Sequence, residues 1–156
     1  MKAIYLTVVG LLLQITAYSQ HNIIQADTTV KNLKDYLEKN IKYPPVSLKD
    51  YTQGTMIVGF KINKDGKIND SHIVRHIADD CDSTVIRTLN NYSGKILLPP
   101  NEYTVGLQFF ILEDGKPDSE IVPIDKSRYK HFLVNFLFEL NVTAEGIKEI
   151  HTSIVQ

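Results

Sequence analysis

The chain has 156 residues, with 17 basic against 18 acidic side chains and a formal net charge of −1. That length suits one domain, and a 43% hydrophobic content can supply its core. The balanced charge leaves no basic stripe for nucleic acid, and a lone cysteine, Cys81, excludes an internal disulfide.

The first segment reads as an address rather than as fold. Met1-Lys2 is a short positive region, Ala3 to Ile15 is almost wholly apolar, and Ala17-Tyr18-Ser19 sets small residues before Gln20. This is the layout of a cleaved signal peptide over 1–19. The apolar run falls short of the roughly 20 residues that span a bilayer, and no Leu-x-x-Cys lipidation site follows it. Export is therefore expected.

From Asp27 the apolar residues Val30, Leu33, Leu37 and Ile41 recur at three- and four-residue steps, with Lys31, Lys34, Asp35 and Glu38 between them. That is an amphipathic helix. Asp27 or Thr28 is its expected cap, and Pro44-Pro45 its stop. Tyr43-Pro44-Pro45 must be extended, because a residue before proline is pushed out of helical geometry. Val46 to Gln53 reads as a polar connector.

Met56, Val58, Phe60 and Ile62 then alternate with Thr55, Gly59, Lys61 and Asn63, the period of a strand. Ile57 breaks the alternation and points to a second face that is partly covered. Asn63-Lys64-Asp65-Gly66 predicts a type I turn in which Gly66 takes positive φ. A return strand runs from Lys67 to about His76. Gly59 inside its strand predicts a bulge or a close backbone approach. Asp79-Asp80-Cys81-Asp82 opens a second helix, the acids suiting its N-terminal dipole, with Val85, Ile86 and Leu89 as its apolar stripe.

Past Pro99-Pro100, Tyr103, Val105, Leu107, Phe109 and Ile111 alternate, so Glu102 to Leu112 is a third strand. Glu113 to Lys116 is a turn, and Ser119 to Ile124 a short return. Phe132, Val134, Phe136, Phe138 and Leu140 alternate once more. Asn141 to Gly146 is the expected turn after them, with Ile147 to Val155 returning. The fold class is α+β: two helices packed on one face of a mainly antiparallel sheet, with extra C-terminal strands.

No catalytic constellation stands out. His21, His72, His76, His131 and His151 are scattered, and His72 and His76 would lie roughly 13 Å apart at strand rise, too far for one zinc ion. The acids 79–82 lack calcium-loop spacing. No cofactor, metal or small-molecule substrate is implied, and the chain does not read as an enzyme.

The order helix, Tyr-Pro, strand, Asp-Gly turn, strand, helix, proline, strand, over about Leu33 to Leu112, resembles the C-terminal domain of the energy-transducing protein TonB. The pieces that carry the resemblance are Leu33 to Leu37, Asn40-Ile41-Lys42-Tyr43-Pro44, Gln53 to Phe60, Lys64-Asp65-Gly66-Lys67-Ile68, Asp82 to Leu89, and Val105 to Ile111. The chain departs from that family at four points. Its leader has no histidine within Ile4 to Ile15, and there is no Trp. The lead-in Gln20 to Ala26 reaches only about 25 Å in place of a long spacer, and residues from Pro117 extend past the family's end.

The resemblance implies residues 20–116 as a TonB C-terminal-like domain and 117–156 as a β extension of it. It also implies a periplasmic, anchor-free protein-binding module serving TonB-dependent transport. Its partner would be an outer-membrane receptor or another envelope protein, engaged by β-strand addition. In the family, the Tyr-Pro segment and the last strand contact the receptor's N-terminal box peptide. Carried over, this implicates Tyr43, Pro44, Tyr103, Val105, Leu107, Phe109 and Ile111. If the strand at 132–140 pairs with the one at 102–112, that border is already covered. The alternative function is structural, a homodimer through sheet edges.

Overall fold

The structure, a computed structural model, describes residues 25–113, 116–117 and 135–145. The first helix, α1, covers residues 25–40 and α2 is Pro45–Lys49. Strand β1 is Gly54–Ile62 and β2 is Ile68–Arg75, and helix α3 is Asp79–Asn90. Strands β3 (Asn101–Glu113), β4 (Lys116–Pro117) and β5 (Phe136–Glu145) complete the order. The expected leader, the return strand at 119–124 and the one at 147–155 lie outside the described residues. Among the described residues no helix is long and apolar enough to cross a membrane.

The α+β expectation holds. β1 lies between β2 and β3, antiparallel to both. β3 pairs antiparallel with β4 at Leu112 and Glu113 and in parallel with β5. Both long helices cover one face of this sheet. Leu33 and Leu37 from the first, Ile41 just after it, and Cys81, Val85 and Leu89 from α3 form one core. Met56, Val58, Phe60 and Ile62 of β1 join it, as do Tyr103, Val105, Leu107 and Phe109 of β3, and Leu140 and Val142 of β5. Tyr36 meets Tyr92 edge-on, ring centroids 5.1 Å apart, tying α1 to the end of α3.

The second face is covered as well. Thr55, Ile57, Thr104, Gln108 and Phe110 alternate with the core set and are all buried. A strand enclosed on both faces loses the plain apolar-polar alternation, which is why Ile57 broke it.

The turn at 63–66 forms as its residues dictate. Gly66 has φ 78°, its N–H donates to the Asn63 carbonyl at 3.0 Å, and the Asn63 N–H donates to the Lys67 carbonyl at 3.0 Å. The Asn63 side-chain oxygen accepts from the Asp65 and Lys67 N–H groups, each at 2.9 Å. Gly59 lies beside the expected irregularity, and what crowds it is a side chain rather than backbone. The β1–β2 register slips between Gly59 and Lys61, and the His72 ring lies where a Cβ on Gly59 would stand 2.6 Å from its Nε2.

Four local expectations are corrected. The first helix already runs from 25, so Asp27 and Thr28 lie inside it rather than capping it. The connector after Tyr43 contains α2, because Pro45 sits where a helix starts and its fixed φ suits that position. β5 continues through Asn141 to Glu145, since ladder bonds to β3 at Gln108–Leu112 outweigh the turn tendency of Asn141. β5 also enters in parallel, where an antiparallel partner fits the run of hairpins better.

Candidate partner-binding surface

The residues from Asn40 to Ser47 leave α1 and turn into α2. Pro44 is extended at φ −66° and ψ 139°, as proline there must be. The Tyr43 ring packs edge-on against Phe109 of β3, centroids 5.5 Å apart and planes at 78°. Its hydroxyl donates to the Thr52 carbonyl in a short hydrogen bond. Burial pushes the Tyr43 phenol up to about 12, with the negative charge Cys81 and Asp80 would carry nearby adding to it. Pro44 is buried behind Tyr43.

A second clamp lies on the far side of the corner. The Asp80 carboxylate accepts from the Ser47 N–H and the Cys81 N–H, each at 3.0 Å, and from the Ser47 hydroxyl. Burial alone would raise the Asp80 pKa, but these donors outweigh it and hold the carboxyl below its usual range. The Cys81 thiol donates to the Ser47 oxygen at 3.3 Å, and burial first of all pushes its pKa up. Burial of this kind suits a packing role for the thiol.

The corner is thus fixed from below while its outer side is open. Val46 is 62% exposed beside the exposed Pro45. A surface cleft of about 350 Å³ lies between them and α3, with Lys42, Asp80, Thr84 and Arg87 along its walls.

The five predicted residues of β3 are placed differently. Tyr103, Val105, Leu107, Phe109 and Ile111 are all buried. The β3 main chain is paired with β1 from Asn101 to Phe109 and with β5 from Thr104 to Leu112. β3 is therefore not an open border. The Thr104 N–H donates to the Asn135 carbonyl at 3.2 Å, and the Asn135 amide donates to the Glu102 carbonyl at 2.8 Å, fixing where β5 enters. Tyr43 and Phe109 touch, so the two predicted parts of the site meet, but only beneath the surface.

Lys42, Thr84 and Arg87 were not singled out from sequence. Arg87 falls on the side of α3 away from its apolar stripe, and only tertiary packing brings it to Lys42. His72 and His76 take separate partners. His72 Nε2 lies 3.3 Å from Glu102, and His76 Nδ1 lies 2.7 Å from Asp82. Asp79 joins His76 and Asp82 with ligand atoms within 4.8 Å of one another. The His76–Asp82 hydrogen bond accounts for that grouping, and it raises the His76 pKa, the coulombic pull of Asp82 adding to it.

Residues 39–102 match the family model of the Gram-negative bacterial TonB protein C-terminal region. The match is less than half of the 156 residues. It takes in the whole Tyr43-Pro44 corner and the cleft wall on α3, and it ends before Tyr103. No curated protein and no solved structure matches the chain.

Proposed function

We propose that this chain, TonB C-terminal domain-like over residues 39–102, is a protein-binding module of the bacterial envelope whose working surface is the outer side of the Tyr43-Pro44 corner. The family is one of protein-interaction domains without catalysis. An outer-membrane receptor, or another envelope protein in TonB-dependent transport, is the partner that fits it. The leader at 1–19 is read as the export signal. Residues 20–116 are the TonB-like unit and 117–156 its β extension. The ladder from β5 to β3 and the burial of Leu140 and Val142 support that last assignment.

The observation that carries the reading is the contrast between the two sides of the corner. Four groups beneath it, Tyr43, Pro44, Ser47 and Asp80, are bonded or buried, so its backbone is held rigid. Its outer apolar residues are left in water. A pre-ordered surface loses little freedom when a partner arrives. Strand addition at β3 requires β5 to give way, which favours the corner as the place for an extended partner. Self-association through β2 is discouraged by its own edge. Asp70 there has φ 52° and the β1–β2 register slips twice, so the strand is irregular.

The test uses the N-terminal box peptide of an outer-membrane receptor from the same source. Val46→Asp, at an exposed position, is expected to weaken its binding by about tenfold. Unchanged affinity would remove the corner from the binding surface.

A further inference from the structure

We propose that the cleft between the Tyr43-Pro44-Pro45 corner and α3 takes an acidic, extended segment of a protein partner. This rests on the binding-module reading and states what chemistry the partner brings.

Two cations and one anion line the cleft: Lys42, Arg87 and Asp80. The anion is already satisfied. Both Asp80 oxygens accept hydrogen bonds, from the Ser47 hydroxyl and N–H and the Cys81 N–H. Among the described residues, neither the Lys42 ammonium nor the Arg87 guanidinium has an ion-pair or hydrogen-bond partner. Every other carboxylate named in an ion pair goes elsewhere: Asp35 to Lys31, Glu38 to Lys34, Asp70 to Lys61, Asp82 to His76 and Glu102 to His72. The Thr84 hydroxyl on the same wall is also uncommitted among the described residues.

Arg87 also sits in the last turn of α3, where a cation suits the helix dipole. That role uses its charge but leaves its five donors to solvent, and those donors form the fork that grips a carboxylate in two places. The volume, about 350 Å³, holds one or two side chains. Val46 and Pro45 at its rim add an apolar contact beside the cations. Carboxylates spaced along an extended chain, with an aliphatic residue between them, match that order of groups. A folded partner could reach it only with such a protruding segment.

The experiment titrates the isotope-labelled full chain with a short synthetic peptide alternating glutamate and valine, and with its glutamine counterpart. The glutamate peptide is expected to shift amides at 42–46 and 83–87, to bind about tenfold tighter than the glutamine one, and to weaken with added salt. Arg87→Glu and Lys42→Glu, both exposed, are expected to abolish that preference while leaving the rest of the amide spectrum in place. Equal binding of the two peptides, or a preference that survives both reversals, overturns the acidic assignment. If the glutamate peptide leaves these amides unmoved while the receptor box peptide moves them, the charge preference is wrong and the module reading stands. If neither moves them, both readings fall.

Discussion

Gly66 shows how much a single position can hold. It takes φ 78°, and a Cβ there would stand 2.7 Å from the Ile96 carbonyl oxygen, an atom of the backbone that cannot swing aside. The Ile96 N–H also donates to the Gly66 carbonyl at 2.9 Å, so the turn is docked as well as bent. Gly66→Ala is expected to cost about 1–3 kcal/mol of stability in a denaturant titration. Gly59 is a softer case, because what its Cβ would meet is the tip of His72. His76 gives a pH test. Its hydrogen bond to Asp82 raises its pKa, so the stability it adds is fully present below the ordinary histidine range and fades as pH rises through the raised value. Asp82→Asn is expected to return the His76 titration, followed by NMR, toward the ordinary value and to remove that pH dependence. The bend from Asn63 to Gly66 was legible in the sequence because the groups that form it, Asn63 to Lys67, lie within five residues, while its docking by Ile96 was not.

At the scale of elements, the short α2 is held to α3 by Ser47 and Asp80. Ser47→Ala deletes a buried hydroxyl that donates to a carboxylate, and the expected loss near neutral pH is about 1.5–3 kcal/mol. Asp80 has a lowered pKa, so its share of stability is present above the ordinary carboxylate value and lost as pH falls through the lowered one. The difference between wild type and Ser47→Ala should therefore shrink in acid. The two long helices and β1 to β3 could be read from apolar spacing. α2 could not, because a proline that ends one helix also starts the next. The direction of β5 could not either, since parallel pairing with β3 has no local signature. That pairing turns the predicted border residues from Tyr103 to Ile111 into an interior row. Of the proposed site, Tyr43 and Pro44 were visible as a dipeptide. The Lys42–Arg87 cleft was not, because it exists only once α3 packs beside the corner.

At the scale of the molecule, the described residues share one core with β5 built into it. Leu140 and Val142 belong to the same core as residues of both long helices, so Leu140→Ala is expected to cost about 2–5 kcal/mol and to lower a single cooperative transition. Two separate transitions would instead mark the C-terminal strands as a unit of their own. Because β3 is paired on both sides, the proposed working surface is the Tyr43-Pro44 corner, where among the described residues exposed Val46 lies near the unpaired Lys42 and Arg87. The direct test is amide-shift mapping on the full chain with the receptor box peptide at saturation. Shifts are expected to center on 42–47 and 83–87 while the β5 amides at 136–145 keep their positions. Large shifts across β5 with the corner unmoved would contradict it, and would mean that the partner strand enters the sheet by displacing β5 from β3.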